Sequence, residues 1–220
     1  MRQWWWWLVW LGFSLYAFFG APPDRDPEAT LDLIGRLLRG ELAGINPLVV
    51  AEFYLMGVLP LIYWCFLFPD GKNQRVWAWP FALGMMGVGA FALLPYMGLR
   101  QVGQRFSGSL SLVERWGQSP WVGRILTVMT MALLVWGIRH GDWADFGMLW
   151  RHNRFIHVMT LDFGLLCGLL PYWVGEDLSW RGIPVEDRVW GFRWIPLLGA
   201  LAYLSARPPW KPQGEPVPGK

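Results

Sequence analysis

Long apolar runs, separated by short polar stretches, dominate the pattern along this chain. Six windows approach the length of about 20 mostly apolar residues that a membrane-spanning helix needs. They are 4–20 and 76–98, both free of charge; 47–68, interrupted only by Glu52; 121–138, with Arg124 near its start; 155–174, with His157 and Asp162; and 189–205, with Arg193 near its start. Backbone N–H and C=O groups cannot stay unpaired in hydrocarbon, and these runs are too long for barrel strands, so each is predicted to be a helix. The expected fold is all-α, a polytopic transmembrane bundle of six spans within residues 1–206, followed by a disordered, Pro-rich tail over 207–220. The last window is short and flanked by charge; its alternative is a five-helix bundle with a surface-lying final segment.

One connection has a different period. In 21–46, Leu31, Ile34, Leu37, Leu38 and Leu42 recur at helical spacing, Asp26 is placed to cap, Pro27 suits the first turn and Gly40 the end. An amphipathic interfacial helix is predicted near 27–40, with Asp32 and Arg36 four apart as a favourable pair on its wetter face. Phe68-Pro69-Asp70-Gly71-Lys72 reads as a tight turn, and 99–120, 139–154 and 175–188 read as polar loops. Gly84, Gly87 and Gly89 with Ala90 give the third window a small-residue face suited to close helix packing.

Composition strengthens the membrane reading. Apolar residues make up 54% and charged residues 16%, against about 25% charged in soluble domains. Eighteen Trp fit interfacial belts, and the run Trp4–Trp7 reads as such an anchor. The N-terminal run reads as a retained helix rather than a cleaved signal, because bulky Phe18 and Phe19 precede the only plausible site. The net charge of +3 and the absence of a dense basic face point away from nucleic acid. The expected partners are the lipid bilayer and other integral membrane proteins. Cys65 and Cys167 sit in apolar runs as structural thiols. With six spans the two faces carry nine and eight basic residues, which leans only slightly to an N-in, C-in arrangement.

Ionisable residues within spans are costly and are functional candidates by default. Glu52, Asp162 and His157 are the candidates here. Glu52 is expected to pair with Arg124 or Arg193, which six spans would put on its side. Asp162 has no evident cation at its depth; it is read as protonated, as bound to a helix end or backbone amide, or as facing a polar cavity. No catalytic motif, zinc spacing or phosphate-binding loop is present in the sequence, so no catalytic residue, metal or cofactor is assigned. Haem or chlorophyll ligation by His157 is the alternative.

The stretches "LMGVLPLIY" (55–63), "PDG" (69–71), "GAFALLPY" (89–96) and "HVMTLDF" (157–163), in that order, resemble a group of poorly characterised multi-pass membrane proteins of cyanobacteria and plant chloroplasts. The resemblance implies a thylakoid-type photosynthetic membrane and an accessory or assembly role, and it draws attention to Glu52, Asp70, His157 and Asp162. The expected function is therefore a non-catalytic accessory or assembly protein for a photosynthetic or respiratory complex, in a thylakoid or bacterial plasma membrane. The alternatives are a small transporter or channel using Asp162 and Glu52, and a membrane enzyme acting on a lipid or isoprenoid through His140, Asp142, His152 and Asp162.

Overall fold

The computed structural model describes residues 3–24, 26–71, 74–101, 111–183 and 188–208. These residues are helical throughout their regular parts, with no strand among them. Three helices are long and apolar enough to cross a membrane: α3 (Pro47–Gly71), α7 (Pro120–His140) and α9 (Arg154–Trp180). Helix α1 (Trp4–Leu15) continues directly into a π-helical turn, Tyr16–Gly20. The remaining helices are α2 (Pro27–Arg39), α4 (Ala78–Val88), α5 (Ala90–Leu99), α6 (Leu112–Gly117), α8 (Trp143–His152) and α10 (Leu198–Ala206), with a 3-10 segment at Arg188–Trp194.

Contacts at successive levels give the directions. Helices α3 and α9 run parallel, because Glu52 meets Thr160, Tyr63 meets Leu166, and Asp70 and Glu176 share Arg100. Helix α7 runs opposite to them: Gly137 lies against Ala51, and Gln118 bonds the Cys65 carbonyl. The α1 segment is also opposite, with Trp6 on Tyr172, Trp10 on the Phe91 carbonyl and Tyr16 on His157. Four segments thus run the length of the bundle, between an end holding α2 and α8 and an end holding Arg100.

The windows 76–98 and 189–205 do not. The single helix expected over 76–98 is a hairpin that folds back at Gly89 (φ 50°, ψ −125°). Gln74 meets Gln101, the Phe81 ring meets Tyr96, and a Cβ at Gly84 would lie 3.0 Å from the Ala92 Cβ. Both arms therefore end beside Arg100. Window 189–205 also folds back, at Leu197 (φ 60°), where the chain at Phe192 and Arg193 lies against Gly199. Pro208 returns to Arg181, and α10 runs antiparallel to α7, with Leu204 against Gly123. The sequence expectation of six end-to-end helices is corrected on this point: hydropathy measures how apolar a segment is and not whether it turns back, and both turns sit inside apolar runs. The small residues of the third window serve the hairpin, where Gly84 lets its two arms approach.

The expected amphipathic helix is present as α2. Asp26 accepts from the Ala29 amide, Pro27 opens the first turn, and Gly40 closes the helix with φ 75°. Leu37 is fully buried, and its carbonyl accepts from the Tyr54 hydroxyl. The expected Asp32–Arg36 pair is replaced, since Arg36 reaches the Ala43 carbonyl at the end of the helix. Of the turn expected at 68–72, residues 68–71 are instead the last turn of α3, with Pro69 and Asp70 buried, and Lys72 lies outside the described residues. The loop expected at 139–154 contains α8, capped by Asp142. Of the expected tail, Arg207 is buried against the bundle and residues 209–220 lie outside the described residues, as do 102–110 of the loop expected at 99–120. The main core joins α3, both arms of the first hairpin, α9 and α10, with Tyr63, Phe66, Leu93, Tyr96, Trp173 and Tyr203 fully buried.

Candidate functional site: the hairpin tip and the cavity beneath it

Folding α4 back into α5 at Gly89 leaves the N-terminus of α5 inside the bundle. The first amides of a helix have no partner within it and carry the positive end of its dipole. Asp162 supplies the partner. It lies eight residues into α9, about 12 Å from the helix start, and its Oδ1 accepts from the Ala90 N–H at 2.8 Å in a buried bond. The fit is close: a Cβ on Gly89 would lie 1.8 Å from Asp162 Oδ2. Asp162 therefore does have a partner, a backbone amide at a helix end. No pattern of charges could have identified it, because the partner carries no side-chain charge.

Between this tip and the α2 end lies a cavity of about 560 Å³. The hairpin occupies only the part of the bundle nearer Arg100, and the cavity takes the space it leaves. Asp162 and Gly89 form its roof, and Arg154, the first residue of α9, stands at the other end. Four methionines, Met56, Met85, Met86 and Met159, supply flexible wall. Phe18 of the π-helical turn and Leu38 of α2 line it while remaining 67% and 72% exposed, which marks a lateral opening. Pi-helical turns often accompany functional sites, and this one also carries Tyr16 to His157.

The other candidates are placed apart or engaged. Glu52 is buried and accepts from Thr160 Oγ1 at 3.1 Å. The expected pairing with Arg124 or Arg193 is not formed. Glu52 lies near the α2 end, whereas Arg124 starts α7 at the opposite end with its guanidinium over Trp121, and Arg193 sits in the C-terminal fold-back against Trp194. His157 is buried with both ring nitrogens bonded: Nδ1 to the Trp150 carbonyl and Nε2 to the Tyr16 hydroxyl, each at 2.8 Å. A carbonyl only accepts, so Nδ1 carries the proton and Nε2 accepts from Tyr16. A metal at Nε2 would have to displace Tyr16. His140 and His152 bond carbonyls of their own helices, and Asp142 caps α8, so these residues do not converge with Asp162. Among the described residues no group of three or more His, Cys, Asp or Glu is placed to hold a metal ion. Cys65 and Cys167 are buried free thiols.

Two buried charge clusters lie at the Arg100 end, and Asp70 is the member of them that the sequence motifs bring forward. Arg100 bonds Asp70 at 2.6 Å and Glu176 at 2.5 Å, and its guanidinium stacks 4.5 Å over the Trp173 ring. Tyr96 donates to the same Asp70 and Tyr172 accepts from Arg100. Burial works against the Arg100 charge, but Asp70, Tyr172 and Glu176 hold its pKa above the ordinary value. In the second cluster Asp177 meets Arg181 at 2.9 Å, Tyr203 at 2.5 Å and Arg207 at 3.8 Å, while Arg207 also reaches the Gly117 and Cys65 carbonyls. For Arg181 burial is again outweighed by Asp177, and its pKa is raised; for Arg207 burial wins and lowers it. Arg100 locks the first hairpin to α3 and α9, and Arg207 with Tyr203 locks the second to α9. The i, i+4 spacing of Asp177 and Arg181 was a readable signal; the longer-range partners were not. The chain matches no protein-family model, no curated protein and no solved structure.

Proposed function

We propose that this is a multi-pass membrane protein with four full crossings and two half-depth hairpins, acting as a non-catalytic accessory or assembly protein for a photosynthetic or respiratory membrane complex. Helices α2 and α8 lie along one membrane face. Among the described residues, the segments at the Arg100 end carry Arg75, Arg100, Arg115, Arg181, Arg188 and Arg207, and those at the α2 end carry Arg36, Arg39, Arg139, Arg151 and Arg154, so basic residues do not distinguish the two faces.

One observation carries the accessory reading: the buried ionisable groups are spent on architecture. Arg100, Asp70 and Glu176 hold one hairpin, Asp177, Arg181 and Arg207 hold the other, and Asp162 caps the hairpin tip. The resemblance to cyanobacterial and chloroplast membrane proteins supports the same setting, a thylakoid or bacterial plasma membrane. Isolation in mild detergent tests it. Co-migration with a membrane complex whose level falls on deletion of this protein is expected; a protein that always runs alone, and whose deletion leaves every complex intact, contradicts it.

A second reading, a small transporter or channel, is favoured by one feature: a helix N-terminus and a carboxylate meeting inside the bundle, as in transporters with discontinuous helices. Flux in liposomes that is lost in Asp162→Asn would establish it. No flux in either protein, with correct insertion, removes it.

A further inference from the structure

We propose that the cavity beneath the hairpin tip holds an acyl chain of an anionic membrane lipid, with the headgroup on Arg154. The inference stands apart from the accessory role and rests on the cavity itself. Its depth along α9, from Arg154 to Asp162, is about 12 Å, close to one leaflet of a hydrocarbon core about 30 Å thick. Its volume of about 560 Å³ lies in the range of small-molecule sites. The wall is mostly methionine, phenylalanine, valine and glycine, with Asp162 in the roof and Tyr54 at the side as polar groups. Water therefore has few partners along most of it, and hydrocarbon from the surrounding leaflet enters past Phe18 and Leu38. The flexible thioethers adapt to a chain without fixed shape.

Arg154 selects the headgroup. It sits where α9 begins, at the α2 end, and its Nε donates to the Pro22 carbonyl, which fixes the guanidinium at the mouth. Among the described residues its two Nη groups have no protein partner. A guanidinium with two free donors matches a phosphate or sulfonate, which it can hold in a bidentate fashion. A zwitterionic lipid shields its phosphate with its own cation, and an isoprenoid quinone brings no anion to this position.

Glycine provides the control. Gly57 and Gly87 line the cavity, and an added Cβ at either meets nothing within 4 Å. A larger side chain at either position therefore starts in open space on the cavity wall.

The test is native mass spectrometry of the protein released from nanodiscs of phosphatidylglycerol or phosphatidylcholine. We expect phosphatidylglycerol, and not phosphatidylcholine, to be retained. Arg154→Gln should cut retention about tenfold or more, the size expected for a lost charge-assisted contact. Gly57→Leu should abolish retention while the unfolding temperature is kept. Should Gly57→Leu fail to fold, Gly87→Leu asks the same question. Equal retention of the two lipids, retention unchanged in the filled variants, a co-purified quinone in the lipid's place, or no lipid held by the parent protein would each overturn the proposal.

Discussion

Gln74 and Gln101, 27 residues apart, clasp each other: the Gln74 side-chain amide donates to the Gln101 carbonyl at 2.9 Å and accepts from the Gln101 N–H at 2.6 Å. Two residues on either side of a 23-residue apolar window are thereby neighbours, which a crossing helix would forbid. The clasp closes the mouth of the hairpin. Gln74→Ala removes both bonds of the clasp, and we expect a loss of about 1–3 kcal/mol in unfolding free energy in mixed micelles. Gln74→Glu keeps an acceptor for the Gln101 N–H and loses the donor, so its cost falls between parent and alanine.

At the other end of the hairpin, Gly89→Ala meets two obstacles, a positive φ and a carboxylate oxygen 1.8 Å from the new Cβ. The backbone strain alone is about 1–3 kcal/mol. Gly87→Ala, two residues away with open space, should instead gain about 0.5–1 kcal/mol from helix propensity. Opposite shifts of the unfolding temperature in this pair are the expected outcome.

Asp162→Ala removes the acceptor of the Ala90 amide, with an expected cost of about 1–3 kcal/mol. Asp162→Asn retains a side-chain oxygen and can cap the same N–H, so its stability should lie closer to the parent. Equal losses in the two variants would mean that the carboxylate charge, and not the cap, is what matters there.

Arg100→Met leaves Asp70 and Glu176 without their cation. Breaking one side of a buried pair costs about 3–5 kcal/mol. The double variant Asp70→Asn, Arg100→Met removes both charges of the tighter pair and should recover part of that loss. Arg100→Lys keeps the charge but not the fork that reaches Asp70 and Glu176 together, and should be intermediate.

What the sequence reveals depends on how local the determinant is. The bounds of helix α2 were legible, because its cap, first-turn proline and closing glycine all lie within fifteen residues, whereas the partner of Arg36 was not. The apolar character of α3, α7 and α9 was legible too, since composition alone states it. Asp162 was singled out as an intramembrane carboxylate, but its partner is a backbone amide exposed only by the fold-back at Gly89. The partner of Glu52 is hidden for the same reason: six end-to-end crossings would put Arg124 and Arg193 on its side. Once two windows fold back, Glu52 and Arg124 stand at opposite ends, and Thr160 is what lies beside Glu52. Nothing local in the sequence distinguishes cations that will be buried, such as Arg100 and Arg207, from those that will not.

The window 76–98 turns back rather than crosses. Single cysteines at Arg75, Ser111, Glu41 and Ala144, all exposed, in a background where the buried Cys65 and Cys167 are replaced by alanine, can be labelled with a membrane-impermeant maleimide from either side of sealed vesicles. Positions 75 and 111 are expected to label from one side, and positions 41 and 144 from the other. Labelling of 75 and 111 from opposite sides would contradict it.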